Sequence, residues 1–454
     1  MPDNSYDLVI VGAGSGNMLP DKELEGWRIA LVEADRFGGT CLNRGCIPSK
    51  ILVHTADIAQ EIHDAERFGI SAKFSGADWP AIRSRVFGRI DPVHEKAVAY
   101  RRAHGSDVFI GEARFVGPKV LRVGNEEVRG DRFVLAAGSR PSIPQVDGLA
   151  SVPFLTSDNV MRLDKLPRSM VVLGGGYIAA EMSHIFGSLG TRVTIVSRGE
   201  TLLSQHDTDI RALFTSIYQQ RFDVRLGATA THVSATRKGV RLSFVTAAGG
   251  AQTVDGEVLL VATGRVPNGD RLDVAAAGIE TDAHGHIRTD ETYATTVPGI
   301  WALGDLANHF QLKHMANAEA RLIRHNLLHE DQPRRLPFNV VPSAVFAGPQ
   351  VASVGATEQE LQARGKQYRS ATRHYRNAAF GWALEDTSSF VKILADPASR
   401  LLLGAHIIGP QASTLIQPLI QAMCLANTVG QLASDVLYIH PALTEVVEQA
   451  LLEL

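Results

Sequence analysis

The chain has 454 residues, 45 Lys+Arg against 48 Asp+Glu, a net charge of −3, 45% hydrophobic residues and three Cys. At roughly 100–200 residues per domain this length predicts about three domains, each able to bury a core. The balanced charge excludes a basic field for nucleic acid or an anionic membrane; 41 Gly and 20 Pro are too few for a low-complexity chain, and three Cys too few for a secreted disulfide scaffold.

The N-terminal run MPDNSYDLVIVGAG carries Asp3 and Asp7 where a signal peptide carries Lys or Arg, and its apolar stretch is only strand length, so a cytoplasmic protein without a membrane segment is expected. From Tyr6, YDLVIVGAGSGN followed by RIALVE reads as a buried strand, a Gly-rich turn, a helix and a second strand, the βαβ unit that binds a dinucleotide. Gly12 and Gly14 permit the tight bend and the close approach of a pyrophosphate, which would rest on the positive end of the following helix. Asn17 stands at the third glycine position, with Gly16 beside it to compensate. Glu33, at the end of the second strand, is placed to accept hydrogen bonds from ribose hydroxyls; a solvated strand-end carboxylate is the plain alternative.

Next comes GGTCLNRGCIPSK, residues 38–50, with Cys41 and Cys46 five residues apart. In an ideal helix their Cα atoms would be about 8.7 Å apart, beyond the roughly 7 Å limit for a disulfide. Gly45, and the restriction that Pro48 places on Ile47, make a distorted turn cheap. So close a pair in a cytoplasmic protein reads as a redox dithiol or half of a metal site before a structural staple. His54 and the scattered His309, His314, His325 and His329 form no ligand pattern, so no metal is expected.

A second βαβ signal begins at Ser169 with SMVVLGGGYIAAE and continues in RVTIVSRGE. Gly174 and Gly176 sit in the turn, followed by Tyr177 and Ile178, and Ala179 takes the third fingerprint position. Where the first unit ends its second strand in Glu33, this one has Ser197-Arg198. An acid there repels a 2′-phosphate, whereas a hydroxyl and a guanidinium bind one, so this site points to NADP(H); a solvated surface Arg is the alternative.

VATGRVPN around Gly264 and the strand run TVPGIWALGD ending in Asp305 follow. Their order suggests a first dinucleotide unit at 1–150, a second inserted at 151–270, a return to the first at 271–336, and a third α+β domain at 337–454. In that last part SAVFAGPQVASVG, SFVKILAD and LLLGAHIIG read as strands, and TEQELQARG, STLIQPLIQAMCLAN and TEVVEQALLEL as helices. Cys424, in an apolar helical run, reads as a small core residue. His440 precedes Pro441, and Glu445, in the first turn of the next helix, is placed to fix its tautomer, as a carboxylate does beside other nucleophile-assisting histidines.

Two dinucleotide fingerprints, GGTCLNRGCIPSK, the WALGD strand and the His440-Pro441 pair together resemble the flavoprotein disulfide reductases of the glutathione reductase and lipoamide dehydrogenase type, over the whole chain. The resemblance implies an α/β fold of two Rossmann-like dinucleotide-binding domains, FAD in the first and NADPH in the second, with a C-terminal α+β dimerisation domain and hence a homodimer. By the same resemblance Cys46 lies beside the flavin, Cys41 attacks the substrate, and Lys50 pairs with Glu181 near the flavin edge. Tyr177 covers the nicotinamide pocket, Thr40, Gly138 and Asp305 contact FAD, and Gly264 lies on the nicotinamide side. His440 becomes the general acid/base, contributed by the other subunit. The tail after His440 lacks the second cysteine pair of mercuric reductases and large thioredoxin reductases. GAGSGN with Asn17, VFGRIDP (86–92), LKHMANAEAR (312–321), GWALEDTSS (381–389), LLGAHIIGPQASTLIQPLIQAM (402–423) and YIHPALTEVVEQALL resemble the mycothione-reducing branch, whose substrate is a small-molecule disulfide. A lipoamide dehydrogenase or glutathione-type reductase is the alternative; against the former stands Ser197-Arg198 in place of an acid.

Overall fold

The computed structural model describes residues 5–247, 249–337 and 340–454; Asp3 lies outside them. Parallel strands of the first sheet run in the order Ser106–Ile110, Ile29–Glu33, Ser5–Val11, Glu126–Leu135, and Ile300–Ala302 adds to the far side of the last. Val120–Val123 and Ala113–Gly117 extend it as an antiparallel ribbon. Leu8, Val9, Ile10 and Val11 are at most 3% exposed, the two-sided burial that makes a central parallel strand read as an unbroken apolar run. Ile300, Trp301 and Ala302 pair with Phe133, Val134 and Leu135. Asp305 therefore leaves the sheet at the same carboxyl edge as Gly12, where ligands of such sheets bind.

The first Gly-rich turn departs from the βαβ pattern expected from the sequence. No α-helix follows the first Gly-rich turn; the chain makes two 3₁₀ turns, Gly16–Met18 and Lys22–Leu24. Pro20 supplies no amide proton, and the Asp21 carboxylate caps the Lys22 amide, so a new turn starts where a helix would have to run on.

The second unit forms the full pattern. Its parallel sheet runs Asp223–Arg225, Arg192–Val196, Ser169–Leu173, Val258–Val261, and the helix Tyr177–Ser188 follows its Gly-rich turn. A three-stranded antiparallel sheet, Ala228–Thr236, Gly239–Thr246 and Ala251–Gly256, packs beside it. From Ala179 the helix is buried almost all round, as an element enclosed by several others must be.

The C-terminal part is a five-stranded sheet in the order Ser343–Val345, Val351–Gly355, Leu402–Ile408, Phe390–Ala395, Arg369–His374, covered by Thr444–Leu452. Arg369–His374 is an edge strand that the hydrophobic pattern did not reveal; charges at Arg369 and Arg373 are what an edge tolerates. Thr357 and Glu360 close a capping box at the start of Glu358–Ala363. Cys424 is exposed, which corrects its reading as core. The helix Gln417–Leu425 buries Leu419 and Ala422, and two residues on from Ala422 is a rotation of about 200°, onto the open face. No helix among the described residues is long and apolar enough to cross a membrane.

Candidate active site

The two Gly-rich turns share one steric cause. A Cβ on Gly12 (φ +103) would stand 2.3 Å from Ala136 O, and one on Gly174 (φ +137) 2.2 Å from Ala262 O. In each unit the turn presses on the strand that follows in the sheet, at a backbone conformation side chains avoid. Gly16 also packs inward, where a Cβ would meet Ile10 and Ala136 at 3.0 Å. Asn17 needs no close approach because no helix follows. It accepts from Arg101 Nε at 2.8 Å, while Arg101 also holds Pro20 O at 2.8 Å.

Glu33 turns both oxygens to backbone amides, Ala13 N at 2.7 Å and Asp35 N at 3.0 Å. Burial pushes its carboxyl above the ordinary range, against those two bonds. On the second turn Ser197 is 6% exposed and lies under Gly175, accepting from Gly199 N at 3.3 Å. Arg198 is exposed and forms no ion pair among the described residues. Only the guanidinium of that pair is therefore open to a ligand. Gly138, Gly176 and Gly264 face open space, with no atom within 4 Å of where a Cβ would be. Thr40 is exposed, and Ile178 is half-buried in the first turn of its helix. The donor set fits two dinucleotides, one at each carboxyl edge.

The dithiol is built directly against the first turn. A Cβ on Gly39 (φ +59) would lie 2.8 Å from the Cα of Gly14, so the helix Gly39–Arg44 can start there only on glycine. Buried Asn43 ties this start down, donating to Phe37 O and Gly39 O at 3.0 Å each. At Gly45 (φ −137, ψ −117) the helix ends and a second, Cys46–Asp64, begins. That break brings together thiols that a continuous helix would hold apart, and Cys46 donates a hydrogen bond to Cys41. Cys41 is lowered to about 7 by that bond first, with burial opposing and Lys313, the Cys46 amide and Lys50 assisting. Cys46 is pushed up by the same bond and by burial. The pair thus titrates as a unit, with the thiolate favoured on Cys41 and disfavoured on Cys46.

Three parts of the chain meet beside it. Lys50 Nζ lies 2.6 Å from Glu181 Oε2 and 4.5 Å above the Phe346 ring, and Glu181 Oε1 accepts from Phe346 N at 3.0 Å. Tyr177, 44% exposed, stands in the field of Arg265, Asp305, Glu181 and Cys46. Asp305 Oδ2 accepts from Ser139 Oγ at 2.6 Å, and Arg265, its side chain 5% exposed, donates to Ser139 Oγ at 2.8 Å and Ser139 O at 2.7 Å. Glu319, wholly buried, holds Gly304 N at 2.6 Å and Asn308 at 2.7 Å, fixing the turn that carries Asp305. Ser139, Arg265 and Glu319 escaped the sequence reading, although Arg265 lies in the quoted VATGRVPN and Glu319 in LKHMANAEAR.

His440 and Glu445 form a local pair, His440 Nδ1 to Glu445 Oε1 at 2.7 Å, with Glu445 Oε2 accepting from Ala442 N at 3.0 Å. The hydrogen bond to His440 holds Glu445 below the usual carboxylate range. Among the described residues His440 Nε2 makes no hydrogen bond, and no hydrogen bond joins this pair to the dithiol. The imidazole is 73% exposed, next to exposed Val436, Leu437 and Ile439.

The profile of the family described as "Pyridine nucleotide-disulphide oxidoreductase" matches residues 6–320, and that of its dimerisation domain matches residues 341–451. Mycothione reductase of Mycobacterium tuberculosis is 43% identical over 461 aligned positions, 99% of each chain. Dihydrolipoyl dehydrogenase of Halobacterium salinarum is 32% identical over 455 positions, 98% of this chain and 95% of that one. The solved structure of the HOCl-induced flavoprotein disulfide reductase RclA of Escherichia coli matches with a TM-score of 0.86 at 27% identity, covering 98% of this chain and 99% of that one.

Proposed function

The chain belongs to the pyridine nucleotide-disulphide oxidoreductase family and is an FAD-containing disulfide oxidoreductase; from that premise we propose that it reduces mycothione to two mycothiols with NADPH as electron donor. The observation that carries the choice of substrate is the 43% identity to a mycothione reductase over 99% of both chains. Exposed Arg198 at a strand end without an acid supports NADPH over NADH. Bound FAD supplies the two-electron relay between the nicotinamide and the Cys41/Cys46 disulfide.

The chain's own residues do the thiol chemistry. Cys41, as thiolate, attacks one sulfur of mycothione; the substrate S–S bond breaks, a mixed disulfide forms, and the departing thiolate takes a proton from imidazolium. That imidazolium is His440 of the partner subunit, held by Glu445 through Nδ1 so that the Nε2 proton is the one given up. The neutral imidazole then takes the Cys46 proton. Cys46 attacks Cys41 Sγ, the protein disulfide forms, and the second thiolate leaves to be protonated in turn. The match to a dimerisation domain and the exposed apolar residues beside His440 support a homodimeric site.

NADPH oxidation with mycothione, glutathione disulfide and lipoamide, side by side, tests the reading. Faster turnover of either of the last two overturns the substrate. Arg198→Glu should raise the KM for NADPH at least tenfold and leave that for NADH unchanged; equal use of both by the native enzyme overturns the cofactor preference.

A further inference from the structure

The first Gly-rich turn lacks what usually makes such a turn an anion site. A helix macrodipole needs several aligned peptides and delivers its half-charge at the first turn of a real helix. Here Gly16–Met18 is a single 3₁₀ turn, while the second fingerprint opens the twelve-residue helix Tyr177–Ser188. Positive charge for a diphosphate at the first turn must come from elsewhere.

A side chain from the far end of the sequence reaches that place. Lys313, the first residue of Lys313–Leu328, donates from Nζ to Ser15 Oγ at 2.9 Å, inside the Gly-rich turn between Gly14 and Gly16. Ser15 is 7% exposed and donates its own hydroxyl hydrogen bond to Asn317 Oδ1 at 3.0 Å. Lys313 and Asn317 are one helical turn apart on the same face, so both side chains address the same hydroxyl. Among the described residues Lys313 forms no ion pair, and burial lowers the pKa of its ammonium. Cys41, Cys46 and Asp305 lie within its field. A half-buried ammonium whose direct partner is a hydroxyl, with Cys41 and Asp305 acting on it only through their fields, is stabilised further by an anion that joins it directly.

We propose that Lys313 is the diphosphate-binding cation of the flavin dinucleotide site, standing in for the helix that this chain does not form at its first Gly-rich turn. Ser15 presents the ammonium to the phosphates and Asn317 fixes the Ser15 hydroxyl. The inference rests on FAD occupying that turn and is independent of which disulfide the enzyme reduces.

The test compares Lys313→Met and Lys313→Arg with the native holoenzyme. FAD release on dilution is followed by flavin fluorescence at rising salt, and the flavin-free proteins are then reconstituted with FAD and with riboflavin, which has no phosphate. Lys313→Met should bind FAD at least tenfold more weakly with a flatter salt dependence, Lys313→Arg should recover most of the loss, and riboflavin binding should stay within twofold. The flavin-free Lys313→Met protein should unfold at the same or a higher temperature, because it has lost an unpaired charge, which separates a binding defect from a folding defect. FAD binding within twofold of native, or equal weakening of riboflavin, overturns the proposal; the latter would place Lys313 at the dithiol end of the site. Absence of FAD from the native protein would instead overturn the flavin assignment itself.

Discussion

Replacing Cys46 with Ala removes the donor that holds the Cys41 thiolate; Ser would be the wrong choice, because its hydroxyl still donates. Cys41 is lowered to about 7 from an ordinary value of 9.0, and the hydrogen bond from Cys46 is the largest cause. That shift is on the order of 3 kcal/mol in favour of the thiolate, at about 1.36 kcal/mol per unit. Without the donor, burial still opposes ionisation while Lys313 and Lys50 still favour it, which puts the variant near the free-thiol value of about 8.5. At pH 6 the thiolate fraction then falls about 30-fold, while each thiolate becomes about fivefold more nucleophilic, for a Brønsted slope of about 0.45. The two profiles therefore cross: the variant attacks a small uncharged disulfide about sixfold more slowly at pH 6 and about fivefold faster at pH 10. The assay is the initial rate of mixed-disulfide formation on Cys41 between pH 5.5 and 10, read by peptide mass spectrometry so that exposed Cys424 does not contribute. A Cys46→Ala profile that keeps its midpoint near 7 would refute the reasoning and assign the thiolate to the lysines.

Lys50→Met leaves the Glu181 carboxylate, 6% exposed, with the Phe346 amide as its remaining partner. The loss should be about 2–3 kcal/mol in urea unfolding of the holoenzyme, below the value for a fully buried pair because the Lys50 side chain is 34% exposed. Adding Glu181→Met should recover more than half of it, and a coupling under about 0.5 kcal/mol would reduce the pair to an exposed one. Gly39→Ala drives a Cβ to 2.8 Å from the Gly14 Cα at φ +59, so flavin should dissociate at least tenfold faster; unchanged retention would mean that the Gly–Gly contact does not set the cradle. His206, held down to about 4 by burial first and by His406 second, is neutral in the fold. Between pH 6.5 and 4 the unfolded chain binds the extra proton, so stability present above about 6.5 is lost as pH falls, by about 3 kcal/mol. His206→Gln should flatten that acid limb in pH-dependent thermal unfolding, and an unaltered limb would place the titration elsewhere.

What the sequence made legible and what it hid follow from the range of the forces involved. A Gly-rich fingerprint reports a local steric demand, and Gly12 and Gly174 meet it alike, each against the backbone of the next strand. It does not report the helix beyond, which depends on the residues that follow: Ala179 and its neighbours build one after Gly176, whereas Pro20 and Asp21 stop one after Gly16. The same fingerprint therefore identified two turns and mispredicted one helix. His440 with Glu445 was readable because five residues and a helix start bring the groups together whatever the rest of the fold does. Lys50 with Glu181, 131 residues apart, came only through resemblance. Ser15, Lys313 and Asn317 lie in the GAGSGN and LKHMANAEAR runs, but their contact left no local signal, because it requires Ile300–Ala302 to return to the first sheet and set the start of the next helix over a turn some 300 residues earlier in the chain. Such long-range polar contacts are where a shared fold leaves a sequence free to change how it holds a cofactor. If Lys313 does the work of a missing helix, the loss of local structure at Gly16 and the gain of a buried cation at the far end of the chain are one adaptation.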